Sequence, residues 1–208
     1  MAIYIIVGII AYAIGSINFS ILISKKVAGF DVREKGSGNA GTTNMLRTVG
    51  KLPALITLIC DILKGVIAIG IALFVGCVTG VKNVDVLVQI SGILVIIGHT
   101  FPVFFKFKGG KGIATSLGVL LMTNWQIGII CLVFALVLII LTKMVSVGSL
   151  ASAILFPVLT LFIDNTHFIV QGNYFIYSSI IAVIIVFNHR TNIRRLLSGT
   201  ENKLSFKK

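Results

Sequence analysis

The stretch GIATSLGVLLMTNWQIGIICLVFALVLIILT, residues 112–142, decides the fold. Read as one helix it would extend about 46 Å at about 1.5 Å per residue, well beyond a hydrocarbon core of about 30 Å. The polar Thr123-Asn124-Trp125-Gln126 divides it into two shorter spans, with Trp125 suited to a membrane interface. Other apolar runs lie at about residues 3–24, 52–76, 84–104, 145–163 and 173–188. Most match the roughly 20 residues needed to cross a bilayer. The expected fold is an all-α integral membrane protein, a bundle of seven transmembrane helices, with residues 1–208 as one domain.

Charge parity tests that division independently. With the N-terminus outside and the C-terminus cytoplasmic, one face collects Lys25, Lys26, Arg33, Lys35, Arg47, Lys51, Lys106, Lys108, Lys111, Lys143, Arg190, Arg194, Arg195, Lys203, Lys207 and Lys208. Lys82 alone falls opposite, and Lys64 lies within a span. Keeping 112–142 whole would throw Lys143 and the basic tail to the wrong side, against the positive-inside rule. The odd number of spans disfavours a simple pair of inverted repeats.

Composition agrees with a polytopic membrane protein: 57% of the residues are hydrophobic and 12% charged, with mean hydropathy +1.07. The net charge of +12 reflects basic residues crowded into short loops. It does not indicate nucleic acid, because the aromatic residues sit inside apolar runs instead of alternating with the basic ones. The first run has no basic segment before it and no small-residue cleavage site after it, so it is expected to stay as the first span. Cys60, Cys77 and Cys131 are widely spaced within apolar runs and read as packing residues.

Several polar features interrupt this apolar background. Between the first two spans, Gly36-Ser37-Gly38-Asn39-Ala40-Gly41-Thr42-Thr43-Asn44 is bounded by Lys35 and Arg47. Backbone donors, side-chain donors and fixed positive charge together suit a phosphate ester, and the loop is richer than a plain connector requires. On the same face, His99-Thr100-Phe101-Pro102 leads into Lys106-Phe107-Lys108-Gly109-Gly110-Lys111-Gly112, where glycine is expected to free backbone N–H groups for an anion and lysine to add charge. No GxxxxGK[ST] is present, so this is not a nucleotide P-loop. Pro102, three residues before the end of the third span, can free a carbonyl or kink the helix. His99 reads equally as a buried packing histidine or as a group that orients the loop.

Asp61 and Lys64, three residues apart in the second span, share a helix face and must pair or line a polar cavity. The last span runs into His189-Arg190-Thr191-Asn192-Ile193-Arg194-Arg195. If the helix continues, His189, Asn192 and Arg195 follow one another at i, i+3 spacing, bringing an acid/base group, an amide and a guanidinium to the inner boundary. Ser146 and Ser149 begin the sixth span on that side and read alone as small packing residues.

Taken together, GSINF at 15–19, GSGNAGTTNMLR at 36–47, Asp61 with Lys64-Gly65, GHTFPVFFKFKGGKGIAT at 98–115 and HRTNIRRLLSGTE at 189–201 resemble the PlsY family of bacterial membrane acyl-phosphate:glycerol-3-phosphate acyltransferases. The likeness covers nearly the whole chain. It implies transfer of a fatty acyl group from acyl phosphate to the sn-1 hydroxyl of glycerol 3-phosphate, the first acylation of phospholipid synthesis. It also implies a multi-pass protein of the inner (plasma) membrane, with the site facing the cytoplasm.

The resemblance marks His189, Asn192, Ser37, Arg47 and Lys111 as catalytic residues. Gly36, Gly38, Asn39, Thr43, Asn44, Lys106, Gly109, Gly110, Gly112, Ser149 and Glu201 fall to substrate binding, and Asp61, Lys64 and His99 to support. The base is either His189 or an oxygen of the acyl phosphate itself. No cofactor and no metal is expected, since few carboxylates lie in the inner loops. Expected partners are the two phosphorylated substrates, membrane lipid and a phosphate acyltransferase that supplies acyl phosphate. Asn18 departs from the family, which often has proline there, and puts a bend in the first helix in question. Transport of phosphorylated solutes and lipid phosphate hydrolysis are the rival classes; the outer loops, at 76–85, 123–126 and 164–173, carry little chemistry for a transport path.

Overall fold

The structure, a computed structural model, describes residues 1–163 and 172–204. The expected outer loop at 164–173 therefore lies mostly outside the described residues, as do Lys207 and Lys208. Among the described residues the regular structure is helical: α1 (Ala2–Ser16), α2 (Phe19–Ala28), α3 (Thr42–Thr48), α4 (Lys51–Thr79), α5 (Val84–Thr100), α6 (Ile113–Thr123), α7 (Trp125–Thr142), α8 (Val145–Leu159), α9 (Tyr174–Asn188) and α10 (Arg190–Leu197). They form two compact units, Met1–Thr123 and Asn124–Lys208.

The division of 112–142 is observed, and its cause is local. Thr123 ends α6, and the side-chain oxygen of buried Asn124 accepts from Ile127 N at 3.0 Å to begin α7. A polar cap at this point satisfies one of the N–H groups that the first turn of a helix leaves without a partner.

The first apolar run differs from expectation, because it is two helices. Its break falls at Ile17-Asn18, where Asn18 Oδ1 accepts from Ile21 N at 3.2 Å and from Ser20 Oγ at 2.7 Å. Asn18 thus starts α2 by capping it, so the helix is interrupted here without proline. The α-helix of the third span ends at Thr100, and the span itself continues to Phe105, close to the expected end. Pro102 precedes a 3-10 turn at Val103–Phe105, so it lies beyond the helix instead of kinking it.

In the first unit α1 packs on α5, and α4 on both α5 and α6. Glycine sets the approach: a Cβ at Gly15 would meet the Val95 carbonyl oxygen, and one at Gly98 that of Tyr12. Association of helices in lipid depends on such close backbone packing, because apolar side chains gain nothing by leaving an apolar solvent. In the second unit α8 packs on α7 and α9.

Side chains such as Phe74, Ile140, Leu141 and Val183 remain exposed, as expected of surfaces that face hydrocarbon. Among the described residues four stretches are long and apolar enough to cross a membrane: Ala2–Ala28, Lys51–Thr79, Val84–Phe105 and Trp125–Thr142. A fifth arises if α9 and α10, bent by 62°, count as one span, while α6 and α8 are shorter apolar helices. Among the described residues that is fewer full-length spans than the seven expected: α6 and α8 both fall short, α6 because the loop before it and the Asn124 cap after it confine it.

Candidate functional site

In the first unit, two loops that are far apart in sequence are fastened together. The first follows α2. Asp31 caps a short 3-10 turn, and Gly36 and Gly38 adopt left-handed φ of 62° and 72°. Buried Asn44 holds the curve from within. Its Oδ1 accepts from Ser37 N at 2.9 Å, and its Nδ2 donates to the carbonyls of Val32 at 2.8 Å and Lys35 at 3.0 Å. Val32, Ala40 and Met45 beneath the loop form a small core with Ile21 and Ala54, and Phe105 of the second loop packs against it.

The second loop, 101–112, is seated on the first and on the end of α5. The Gly109 and Gly110 N–H groups donate to the carbonyls of Thr100 at 3.0 Å and His99 at 3.1 Å. Those carbonyls end α5 and have no partner within the helix. This corrects the expectation that these two glycines free their N–H groups for an anion; they close the helix instead. They are glycine because of contact: a Cβ on Gly110 would strike His99 Nε2 and the Ala40 carbonyl, and one on Gly109 would strike the His99 carbonyl. Half-buried Lys111 follows directly, before Gly112 at φ 90°. From α1, Tyr12 donates its hydroxyl to the Phe101 carbonyl at 2.7 Å, and Ser16 Oγ accepts from Val103 N at 3.3 Å.

Beneath the loops lies the charge pair of α4. Lys64 Nζ is 2.9 Å from Asp61 Oδ1, both residues are 2% exposed, and His99 Nδ1 lies 3.5 Å from the same oxygen. Lys64 also donates to the Ile17 carbonyl at 3.0 Å. The break between α1 and α2 diverts Ile21 N to Asn18, so the Ile17 carbonyl lacks its helical donor, and Lys64 replaces it. The two readings of His99 converge: it is buried, and its two nitrogens face Asp61 on one side and the Gly110 loop on the other.

In the second unit the expected continuous helix does not exist. The chain bends by 62° at His189, between α9 and α10. His189 Nδ1 lies 2.8 Å from the Ile185 carbonyl. A carbonyl only accepts, so Nδ1 carries a proton and Nε2 is the ring nitrogen that can exchange one. Glu201 gathers the rest: Asn192 Nδ2 and Ser146 Oγ donate to its Oε1 at 2.7 Å and 3.0 Å, and Arg195 Nε donates to Oε2 at 3.0 Å. Ser149 is buried in the next turn of α8. The tail is held as well, since Leu204 N donates to the Lys143 carbonyl at 2.6 Å.

Burial opposes ionisation of Glu201 and is the largest single influence. The hydrogen bonds from Asn192, Arg195 and Ser146, with the Arg195 charge, nonetheless hold its carboxyl below the usual value of 4.5. A lowered pKa stabilises the fold above the unfolded value and stops doing so as pH falls through the folded one. Thermal unfolding in detergent should therefore show wild-type stability declining as pH drops below about 4.5. Glu201→Gln should be less stable at pH 7 and should lose that part of the decline.

Ser37, Arg47, Lys111 and the loop glycines thus belong to the first unit, and Ser149, His189, Asn192 and Glu201 to the second. The sequence reading missed Asp31, Arg33, Tyr12 and Ser16 as partners of these loops, and Ile17 as the partner of Lys64. Ser16 and Ile17 lie in the quoted GSINF motif, the one signal that pointed toward any of them.

A family model described as glycerol-3-phosphate acyltransferase matches residues 5–199. Curated proteins named glycerol-3-phosphate acyltransferase are similar along nearly all of their lengths. One from Clostridioides difficile (strain 630) is 38% identical over 99% of this chain and 97% of its own, and one from Thermoanaerobacter sp. (strain X514) is 43% identical over 98% and 96%. The crystal structure of PlsY (YgiH), described as an integral membrane glycerol 3-phosphate acyltransferase, in its glycerol 3-phosphate form, superposes with a TM-score of 0.84. It is 35% identical and covers 97% of this chain and 96% of that one. The lysophosphatidic acid form gives 0.81 at 33% identity. The chain belongs to the glycerol-3-phosphate acyltransferase family.

Proposed function

We propose that the chain transfers a fatty acyl group from acyl phosphate to the sn-1 hydroxyl of glycerol 3-phosphate, releasing lysophosphatidate and inorganic phosphate. The observation that supports this reading is the seating of segment 105–110 against the 33–40 side of the first loop, through Phe105, Lys108 and Gly110, in the chain directly before Lys111. Both substrates carry phosphate, and cationic loops suit both. An acyl phosphate is already activated. The glycerol hydroxyl oxygen bonds to the acyl carbon, the carbon–oxygen bond to phosphate breaks, and phosphate leaves with the electron pair. The hydroxyl proton passes to His189 Nε2 or to a phosphate oxygen. Such chemistry asks for positioning and charge stabilisation and needs no covalent enzyme intermediate.

In this reading Ser37, Arg47 and Lys111 hold phosphate groups, while Asn39, Thr43 and Gly112 shape their surroundings. His189 and Asn192 orient the hydroxyl or polarise the carbonyl. Asn44, Asp61, Lys64 and His99 support the loops, and Glu201 braces Asn192. The chain acts as a single domain of seven spans in the bacterial plasma membrane, N-terminus outside, with its site on the cytoplasmic face, as the distribution of basic residues supports. A separate phosphate acyltransferase supplies the acyl phosphate.

Purified protein in mixed micelles, given glycerol 3-phosphate and palmitoyl phosphate, should form lysophosphatidate only when both are present. Product from palmitoyl-CoA at an equal rate would overturn the donor assignment. Phosphate release from palmitoyl phosphate alone would favour a phosphatase.

A further inference from the structure

We infer that Arg33 is a positioning residue that holds the Lys111 loop in register with the Ser37 loop, and that Asp31 aims it. Arg33 lies in a basic segment, where the simplest expectation is a loop charge or a phosphate ligand. The geometry assigns its guanidinium otherwise. Nη1 donates to the carbonyls of Phe105 and Lys108, both at 2.9 Å. Nε and Nη2 form a two-pronged pair with the Asp31 carboxylate at 3.0 Å and 2.7 Å. Asp31 is fixed in turn: its Oδ1 accepts from Arg33 N at 3.0 Å, and Lys25 Nζ lies 3.6 Å from its Oδ2.

One planar group therefore spans three residues in two loops. Lys106 and Phe107, between the two gripped carbonyls, both take left-handed φ, 58° and 56°. Non-glycine residues disfavour that region, and successive ones need outside support. The two Nη1 bonds supply it on either side of the pair. Lysine cannot substitute, because an ammonium lacks the rigid fork that meets a carboxylate and two carbonyls together.

This inference rests on the proposed acyltransferase role for Lys111, but its first readout does not. Hydrogen–deuterium exchange of the full-length protein in micelles should show Gly109 and Gly110, whose N–H groups close α5, exchanging at least about 10-fold faster in Arg33→Ala and in Arg33→Lys. Asp31→Asn, the milder variant should either of these fail to fold, should show a smaller rise at the same amides.

With palmitoyl phosphate and glycerol 3-phosphate, both Arg33 variants should lose about 10-fold or more in kcat/KM, since a displacement of about 1 Å can cost that much. In a Lys111→Ala background the further loss should fall below about twofold, because Arg33 acts through the loop that carries Lys111. Unchanged exchange at Gly109 and Gly110, full turnover in Arg33→Lys, or additive losses in the double variant would each overturn the inference. Faster exchange in the variants of a wild-type protein that forms no lysophosphatidate would sink the acyltransferase reading and leave the clamp standing.

Discussion

Asp61→Ala should destabilise the folded protein by about 3–5 kcal/mol, the usual cost of stranding one member of a buried ion pair. For a chain of this size that is a fall of about 10 °C in Tm, measured by thermal unfolding in detergent. Lys64 would keep its Ile17 carbonyl but lose its counter-ion while 2% exposed, and His99 would lose the same carboxylate. Removing both charges, as in Asp61→Leu with Lys64→Met, should recover most of the loss, since an apolar pair of similar volume strands no charge. A single variant as stable as wild type would show that the pair does not hold α4, α5 and the α1–α2 break together.

The second large effect falls on catalysis. Lys111→Ala should lower kcat/KM for lysophosphatidate formation by about 100- to 1,000-fold, the range found when one preorganised charge-stabilising donor is deleted. Its Tm should barely change, because Lys111 lies between two glycines and the loop is held by Arg33 and the Gly109 and Gly110 N–H groups. Lys108→Ala is the control. Lys108 is exposed and contributes its carbonyl to Arg33, which alanine retains, so turnover should change by less than about threefold. Equal losses in the two variants would mean that the loop acts only as diffuse positive charge.

Features carried by local pattern were legible in the sequence. A polar Asn124 inside an overlong apolar run had to interrupt it, and Asp61 and Lys64 at i, i+3 had to meet. The Ile17-Asn18 break was harder to see, since one asparagine in an apolar run can face a neighbour as readily as it can cap. His99 as the third partner of Asp61 depends on the packing of α4 against α5, which helical periodicity does not encode. The second loop shows the same limit. Its glycines advertised donors, but whether an N–H faces a ligand or the end of its own helix is decided by tertiary contact, and here Thr100 and His99 claim two of them. Arg33 looked like one more basic loop residue because its partners are carbonyls, which every residue has. Glu201, assigned to substrate by resemblance alone, has both oxygens taken by Ser146, Asn192 and Arg195.

The spacing of Asp61 and Lys64 also bears on how the protein is made. Because the two sit one turn apart on the same helix, neutralisation travels with α4: the nascent segment can enter the translocon as a dipole instead of as two separate ions. The Ile17 carbonyl, which receives the ammonium in the folded chain, precedes both in the sequence and is made before them. His99 emerges later and joins a pair that is complete without it, so partitioning of this segment into lipid need not wait for the helix that follows.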